Sequence, residues 1–436
     1  MGLRILLVNP PVYDFSAYDF WLKPLGLLGI AGRLGGRAEL RLFDYMDRLH
    51  AAAGGLKDSA DQWGRGHFPS QKARKPEQFG GIPRVWRRFG LSREVFREFL
   101  RANGPFDAAL VQTVMTYWYP GVAEVIEDLR LYARRTRIVL GGFYAEACSE
   151  HAGSLGADEV VSAGDASAVY DMLGVGSEVR YRPPYWEGYE RLRTGAMKLT
   201  TGCPLRCTYC WTGQHGPAFA PRALEDCMAD LHALLSRGVT DVAFYDDALL
   251  CGAEEILVPF LDRVMGEGLR VNFHTPNALH ARLIVPETAR LMVAAGFKTF
   301  YLGFESASED FQRQTGAKVV SDHLESAVRY LVEAGAERTA VAAYLILGHP
   351  RSDLDALAES MRYVNGLGIR IMLSDFSPIP GTPDGEACRR WTDLDEPLNH
   401  NKTAFPVMLS GLDRTNRMKD LCRQLNGSLG ASDGRK

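Results

Sequence analysis

The segment TGCPLRCTYCW, residues 201–211, is the most informative stretch of this sequence. It holds three of the eight cysteines, Cys203, Cys207 and Cys210, in the spacing C-x3-C-x2-C, with Tyr209 just before the last of them. Thiolates are the ligands of iron–sulfur clusters, and a complete [4Fe–4S] site uses four of them. Three thiolates leave one iron with an open position, which separates a reactive metal site from a structural one.

Structural zinc is the alternative for the same residues. His215 follows Cys210 by five positions, so that Cys203, Cys207, Cys210 and His215 can be written as a Cys3His site. Small zinc knuckles usually stand apart from a barrel strand, whereas this loop directly follows the predicted strand Ala196–Thr200. The position therefore favours a cluster over closed zinc.

The other five cysteines are scattered along the chain. Cys227 falls on the apolar side of a helical pattern with Leu224, Met228 and Leu231, which is typical of a small core residue. A disulfide framework is not expected in a long chain without an export signal. Core positions are therefore also expected for Cys148, Cys251, Cys388 and Cys422.

A repeating unit runs from Ala196 onward, in which an amphipathic helix ends at a glycine and an apolar strand follows. The glycines fit the left-handed position after a helix, where a side chain would clash; they are Gly238, Gly268, Gly296, Gly335 and Gly368. Together with Ala196–Thr200, the predicted strands are Asp241–Tyr245, Val271–Phe273, Thr299–Leu302, Val341–Ile346 and Ile369–Leu373. Six units predict an open (β/α)6 barrel related to the (β/α)8 form, with its chemistry at the C-terminal strand ends.

The N-terminal part of the chain predicts a separate parallel α/β layer. Ile5–Val8 is a continuous apolar run, as expected for a strand buried on both faces. Further strands are predicted at Leu40–Phe43, Ala108–Gln112, Ile138–Leu140 and Val160–Ser162. We therefore predict an α/β protein with a Rossmann-like domain at residues 1–180, a barrel at 187–384 and a C-terminal extension at 385–436.

Residues 46–103 interrupt the alternation of strands and helices in the first domain. Arginines and lysines outnumber acids in this insertion. A solvated surface is the commoner explanation of such a basic stretch, and a cover for an anionic ligand or a partner surface is the alternative.

The overall composition excludes few classes of protein. Among 436 residues, 46% are hydrophobic and 24% charged, and the formal net charge is −3, so that nothing indicates a nucleic-acid partner or a membrane surface. No run approaches the ~20 apolar residues of a membrane span, and Ile5–Val8 is too short for a signal peptide. We expect a cytoplasmic protein.

The cysteine spacing after the first strand of a six-unit β/α barrel resembles that of radical S-adenosylmethionine (radical SAM) enzymes. The resemblance implies a [4Fe–4S] cluster on Cys203, Cys207 and Cys210, with S-adenosylmethionine on the fourth iron. It also implies reductive cleavage of the sulfonium to a 5′-deoxyadenosyl radical that abstracts hydrogen from a substrate. A reductant such as flavodoxin or ferredoxin would supply the electron.

Segments after the later strands resemble the family's cofactor-binding positions, although less specifically. Asp246 resembles the region that meets the methionine amino group, and Glu305 and Ser306 resemble a segment that contacts ribose or the methionine moiety. Such residues singly are more often turns or caps, but they recur after successive strands and suit an ammonium group and hydroxyls. The positions implied to bind S-adenosylmethionine are Tyr209, Asp246, Glu305, Ser306, Gly348 and Ser374.

The first domain resembles the cobalamin-binding Rossmann-like domain that is often fused to radical SAM barrels. The implied ligand contacts are strand-end segments and a Gly-Gly turn, where glycine allows the backbone to approach a bulky ligand. The cobalt-ligating Asp-x-His-x-x-Gly motif is absent, and NPPVYD, residues 9–14, stands there instead. A domain that keeps this fold without the ligand is the alternative. The implied cobalamin positions are Asn9, Pro10, Thr113, Met115, Thr116, Gly141, Gly142 and Gly164.

Cobalamin binding would imply methyl transfer to an unactivated carbon of a small-molecule substrate. Radical cyclisation, rearrangement or oxidation without methyl transfer is the alternative within the class. A non-catalytic iron–sulfur or zinc-binding module is the alternative from a different class. No residue identifies the substrate or a catalytic acid or base.

Overall fold

The computed structural model of the chain describes residues 2–53, 60–162, 166–176, 181–316 and 319–432. The chain forms two compact units. The first consists of Met1–Gly195, Ala229–Val239 and Asp395–His400, and the second of Ala196–Met228, Thr240–Leu394 and Asn401–Lys436. Two short segments from later in the chain thus belong to the first unit.

A five-stranded parallel sheet forms the centre of the first unit. Its strands are β1 (Leu3–Asn9), β2 (Ala38–Asp44), β3 (Ala108–Thr113), β4 (Arg137–Gly142) and β5 (Glu159–Val161). Leu6 and Val8 join one hydrophobic cluster, whereas Ile5 and Leu7 join another. The continuous apolar run therefore lies in a strand that is buried on both faces, as predicted.

The strand order of this sheet is β2-β1-β3-β4-β5. In sheets of this order the chain reverses its direction of growth between β1 and β3, and ligands bind outside the carboxyl ends of the strands at that switch point. The helices of the unit are Leu25–Leu34, Arg93–Asn103, Tyr119–Tyr132, Phe143–Ala147, Ser149–Ser154 and Ala166–Met172. The predicted α/β layer is thus present. Its strand order predicts a ligand site at the carboxyl ends of β1 and β3.

The basic insertion is part of the first unit, and its arginines bond carboxylates within that unit. Arg88 is almost fully buried and lies 2.6 Å from the Glu124 carboxylate. Arg93 and Arg97 both bond the fully buried Asp128, at 2.8 and 3.0 Å. The expectation of a solvated basic surface is therefore corrected for these three arginines, because carboxylates of the helix Tyr119–Tyr132 neutralise them.

A seven-stranded barrel sheet forms the centre of the second unit, with six strands along its main path and the short strand Leu279–His280 paired beside Phe297–Glu305. The strands of the main path are β6 (Thr194–Met197), β7 (Asp241–Phe244), β8 (Asn272–His274), β9 (Phe297–Glu305), β10 (Val341–Leu347) and β11 (Arg370–Asp375). They follow one another in chain order, and the pairs from β7 to β11 are parallel. Within the described residues β6 and β11 do not pair, so the barrel is open, as the six repeats predict.

The five glycines that precede barrel strands have the predicted left-handed backbone. Their φ angles are 77°, 65°, 104°, 100° and 72°, for Gly238, Gly268, Gly296, Gly335 and Gly368 in turn. At Gly296 a Cβ atom would also lie 2.4 Å from the carbonyl oxygen of Val271. A side chain at this turn would therefore be strained and would also collide with the chain.

The remaining helices cover the barrel and the C-terminal part of the chain. From Trp211 onward they are Trp211–His215, Leu224–Ser236, Leu257–Gly266, Pro286–Ala294, Glu309–Thr315, Ser321–Glu333, Leu354–Gly366, Pro383–Glu386, Ala404–Ser410 and Leu412–Ser432. In the last helix, Asn426 bonds the backbone N–H and carbonyl of Ile371 in β11. None of the helices in the described part of the chain has the length and hydropathy of a membrane span.

Candidate active site

The residues Cys203–Cys210, here called the cysteine loop, follow the first barrel strand. Cys207 is buried, and Cys203 and Cys210 are half-buried. The carbonyl of Cys207 accepts hydrogen bonds from the backbone N–H of Cys210 and from the Gln214 amide, both at 3.1 Å. Burial raises the pKa of the Cys203 thiol, and Cys210 and Cys251 lie within electrostatic range of it.

The three thiols lie in one loop but are spaced more widely than the ligands of a bound metal ion would be. Among the described residues, no three histidine, cysteine, aspartate or glutamate side chains are grouped closely enough to hold a metal ion. His215 is not part of such a group, and its Nε2 atom lies 2.8 Å from the carbonyl oxygen of Gly381. The donor set therefore remains three thiols with no histidine, which fits an iron–sulfur cluster with one open iron better than a closed Cys3His zinc site.

The scattered cysteines separate into two groups. Cys227, Cys388 and Cys422 are buried, as expected of core residues. Cys148 is half-buried and packs against the hydrophobic core of the first unit. Cys251 is also half-buried and lies within electrostatic range of Cys203, which corrects the expectation of a core position for Cys251. Cysteine spacing could not predict this proximity, because Cys251 lies at least 41 positions from every cysteine of the loop.

Asp246, two residues after β7, is the implied S-adenosylmethionine residue with the clearest geometry. Its Oδ1 atom accepts hydrogen bonds from the backbone N–H groups of Leu199 and Thr200, at 2.9 and 2.6 Å, and from the Thr200 hydroxyl at 2.7 Å. Its Oδ2 atom is buried and has no hydrogen-bond partner among the described residues. Burial raises the pKa of this carboxyl to about 6. A buried carboxylate oxygen without a donor is costly, so the site fits a ligand ammonium group.

Glu305, the last residue of β9, has a backbone conformation that is uncommon outside glycine. Its φ angle is 63°, and its side chain is largely buried. The register between β9 and β10 shifts at the same point, between Gly303 and Glu305. Strain of this kind persists where the surroundings impose it, and it concentrates at functional sites.

The other implied S-adenosylmethionine positions have varied surroundings. The Ser306 hydroxyl accepts a hydrogen bond from the N–H of Ser308 at 3.1 Å. At Gly348, where φ is 82°, a Cβ atom would lie 2.5 Å from Pro406, so internal packing already requires glycine there. Ser374 is exposed near the end of β11. Burial raises the pKa of Tyr209 well above its usual value.

A fully buried carboxylate that the sequence analysis did not select contacts the cysteine loop. Asp384 accepts hydrogen bonds from the Thr208 hydroxyl, from His349 Nε2 at 3.0 Å and from Arg351 Nε at 2.7 Å. Burial raises the pKa of Asp384, but the bonds from His349, Thr208 and Arg351 outweigh it and lower the value to about 2. Because 176 positions separate Thr208 from Asp384, no local pattern could reveal the contact.

A cleft in the first unit lies at the carboxyl ends of β1 and β3. It encloses about 350 Å³, part of it open to solvent, and its twelve lining residues are Asn9, Pro10, Pro11, Val12, Leu22, Met46, Gln112, Thr113, Val114, Met115, Trp118 and Val122. The list includes four of the implied cobalamin positions: Asn9, Pro10, Thr113 and Met115. Thr116, Gly141 and Gly142 are not among the lining residues, and Gly164 lies outside the described residues.

Hydrogen bonds within the unit hold the polar groups of this cleft. The Asn9 amide donates to the buried Asp44 at 2.7 Å. The Thr113 hydroxyl donates to the carbonyl of Gly141 and accepts from the N–H of Ala145, both at 3.1 Å. None of the twelve lining residues, all of them described, is a histidine, cysteine or acid. The cleft thus offers shape and apolar surface rather than a charged ligand for a metal.

The surroundings of Gly142 give a reason for glycine at this position that does not depend on a ligand. A Cβ atom on Gly142, where φ is 113°, would lie 2.2 Å from the carbonyl oxygen of Thr113. The neighbouring strand therefore requires this glycine, whatever ligand the unit binds. Thr116 also has an internal partner, because its hydroxyl lies 2.9 Å from Nδ1 of the buried His400.

Comparison with known proteins identifies the class of the barrel. The sequence profile of the radical SAM superfamily matches residues 197–361. No curated protein sequence matches the chain. Residues 197–361 therefore form a radical SAM domain, which confirms the predicted class of the barrel and the prediction of an enzyme. A domain of this class implies a [4Fe–4S] cluster and S-adenosylmethionine as cofactors.

Two solved structures share the fold of both units. One is the radical S-adenosylmethionine methyltransferase TsrM from Kitasatospora setae, with 15% identity, a TM-score of 0.65 and coverage of 89% of this chain and 76% of that chain. The other is the cobalamin-dependent S-adenosylmethionine radical enzyme OxsB, with 13% identity, a TM-score of 0.55 and coverage of 97% of this chain and 61% of that chain. The chain thus spans about three-fifths of OxsB. These likenesses confirm the predicted order of an α/β domain and a radical SAM barrel.

Proposed function

We propose that this radical SAM enzyme transfers a methyl group to an unactivated carbon of a small molecule with the help of cobalamin. The observation that carries the cobalamin part is the cleft at the carboxyl ends of β1 and β3. That is the switch point of the sheet, where ligands of such folds bind. The radical SAM class of the barrel supports the other part of the proposal.

In the barrel, Cys203, Cys207 and Cys210 would hold the cluster. A cluster bound there would supply reductive cleavage of S-adenosylmethionine, with flavodoxin or ferredoxin as the reductant. The Oδ2 atom of Asp246 would accept hydrogen bonds from the ammonium group of the cofactor, because it is buried and lacks another partner in the described residues. Glu305 would contact the ribose or the methionine moiety from its strained position at the end of β9.

In the first unit, the cleft would hold the corrin ring through shape and apolar contact. Cobalamin would carry the methyl group. The lining residues include no histidine, so the cleft would hold cobalamin through shape and apolar contact without an imidazole of its own. One solved TsrM structure contains cobalamin and a [4Fe–4S] cluster, and OxsB was solved with aqua-cobalamin, which supports binding by the shared fold.

The test is an assay of cofactor content and of both fates of S-adenosylmethionine. The full-length protein would be produced without oxygen in the presence of hydroxocobalamin and given a reductant and S-adenosylmethionine with a deuterated methyl group. We expect bound cobalamin, 5′-deoxyadenosine, S-adenosylhomocysteine and a deuterated methyl group on cobalamin. Protein that forms 5′-deoxyadenosine but neither binds cobalamin nor forms S-adenosylhomocysteine would contradict methyl transfer. That result would favour cyclisation, rearrangement or oxidation.

A further inference from the structure

We propose that Asp384 is a positioning residue that holds the cysteine loop in place through Thr208. Thr208 lies between Cys207 and Cys210, so a contact that fixes the position of Thr208 also restricts the positions of these two thiols. The significance of the contact for catalysis rests on the proposed function. The contact itself belongs to the polypeptide and can be tested without the cluster.

Two hydrogen bonds join Asp384 to Thr208. The carboxylate accepts a hydrogen bond from the Thr208 hydroxyl, and the backbone N–H of Asp384 donates to the Thr208 carbonyl at 3.1 Å. The Asp384 side chain has no exposed surface, so water cannot easily replace a lost donor. Hydrogen bonds to an ionised group that is shielded from water are among the stronger ones in proteins.

The turn after β10 holds Asp384 from the other side. The backbone N–H of Arg351 donates to Nδ1 of His349 at 3.1 Å, which assigns the ring proton to Nε2. Nε2 can then donate to Asp384, and the Arg351 guanidinium donates to the other carboxylate oxygen at 2.7 Å. Two donors from one turn thereby fix both oxygens of the carboxylate.

The segment after β9 holds the loop as well. The backbone N–H of Thr208 donates to the carbonyl of Thr315 at 3.2 Å. At Gly316, where φ is 128°, a Cβ atom would lie 3.2 Å from the Cα atom of Cys207. Residues after β9 and β11 thus bond the middle of the cysteine loop directly, and residues after β10 hold the Asp384 carboxylate that makes one of these bonds.

Tryptic cleavage after Arg206 measures how often the loop opens. Arg206 is exposed and lies in the loop, and a protease cuts a folded segment mainly when it opens locally. Thr208→Val keeps the shape of the side chain but removes the donor to Asp384. We expect this variant to be cleaved after Arg206 faster than the natural protein by about tenfold or more. The measurement follows the fragments of the full-length protein by mass spectrometry, before and after removal of the cluster.

Three controls decide between positioning and a general loss of stability. Thr208→Ser retains the hydroxyl and should restore slow cleavage. Thr201→Val makes the same change at an exposed threonine whose hydroxyl lies 3.4 Å from the carbonyl of Ala220, and it should cleave at the natural rate. Cleavage after Arg290, on the exposed side of a barrel helix, should be the same in all variants.

The proposal is overturned if Thr208→Val is cleaved after Arg206 within twofold of the natural rate, or if cleavage after Arg290 rises equally. With the cluster present, we also expect this variant to lose iron to a chelator faster and Thr208→Ser to lose it at the natural rate. A protein that lacks iron but still shows the cleavage difference would refute the proposed function and leave the positioning role intact. A protein that forms 5′-deoxyadenosine without the cleavage difference would support the radical SAM activity and refute the positioning role of Asp384.

Discussion

The cysteine loop and the N-terminal cleft both lie at the carboxyl ends of strands, but different kinds of residue form them. The loop has three thiols, and buried carboxylates bond the threonines within it and before it. The cleft has apolar walls, and its polar residues Asn9 and Thr113 are bonded within the unit. A site made of reactive side chains should fail at single substitutions, whereas a site made of shape should respond gradually to changes in volume.

Loss of a cluster ligand should have the largest effect. We expect Cys203→Ala, Cys207→Ala and Cys210→Ala each to abolish cluster assembly and formation of 5′-deoxyadenosine, because each removes a thiolate ligand. Iron content and the nucleoside product are the measurements. Cys227→Ala is the matched control, since this cysteine is buried outside the loop, with its Sγ atom 3.8 Å from the Lys198 carbonyl oxygen, and the variant should keep its iron. Full activity in any loop variant would contradict the ligand assignment.

Asp246→Asn should have the next largest effect, on cofactor affinity. Asparagine keeps an oxygen for Leu199 and Thr200 but places an N–H2 donor where Oδ2 would meet the ammonium group. We expect S-adenosylmethionine to bind about 10–100-fold more weakly, with iron content unchanged. Because the natural carboxyl has a pKa of about 6, affinity should also fall in the natural protein as the pH drops below that value.

Asp247→Asn provides the matched control for that variant. Asp247 pairs with Lys198 at 3.1 Å and is partly exposed, so the change should alter affinity by no more than a few-fold. Equal effects at the two aspartates would argue against a specific role for Asp246. Calorimetric titration of the reconstituted protein measures both.

Filling the cleft should have a selective effect on cobalamin. Leu22→Trp adds volume to the lining, and we expect cobalamin content to fall by roughly tenfold while iron content and cleavage of S-adenosylmethionine persist. Leu131→Trp makes the same change at an exposed residue outside the lining and should leave cobalamin unchanged. An unchanged cobalamin content in Leu22→Trp would contradict binding of cobalamin in this cleft.

The smallest effect concerns the backbone at Glu305. Both Glu305→Ala and Glu305→Gly remove the carboxylate, but only glycine relieves the positive φ of 63°. We expect the glycine variant to be more stable than the alanine variant by about 1 kcal/mol in thermal unfolding. At the exposed helical Glu359 the order should reverse, because glycine disfavours a helix. The same order at both positions would contradict strain at Glu305.

Local patterns predict the frame of the molecule well. The run Ile5–Val8, the six barrel strands and the glycines before them could be inferred because each depends on neighbours a few positions away. The cysteine spacing identified the class of enzyme for the same reason. Four of the implied cobalamin positions line the cleft because they lie beside the ends of β1 and β3.

Long-range contacts explain what the sequence did not reveal. Asp384 looks like an ordinary turn residue until the fold brings Thr208, His349 and Arg351 to it. The arginines of the insertion look like a basic surface until carboxylates of the helix Tyr119–Tyr132 pair with them. Partners of this kind are chosen by topology, which no spacing within a motif encodes.

Metal analysis of the protein isolated without oxygen tests the central claim most directly. An open iron on three thiolates of the cysteine loop requires about four iron and four sulfide per chain and the formation of 5′-deoxyadenosine upon reduction. We predict that result for the natural protein and its loss in Cys207→Ala. Stoichiometric zinc with neither iron nor sulfide would contradict the account.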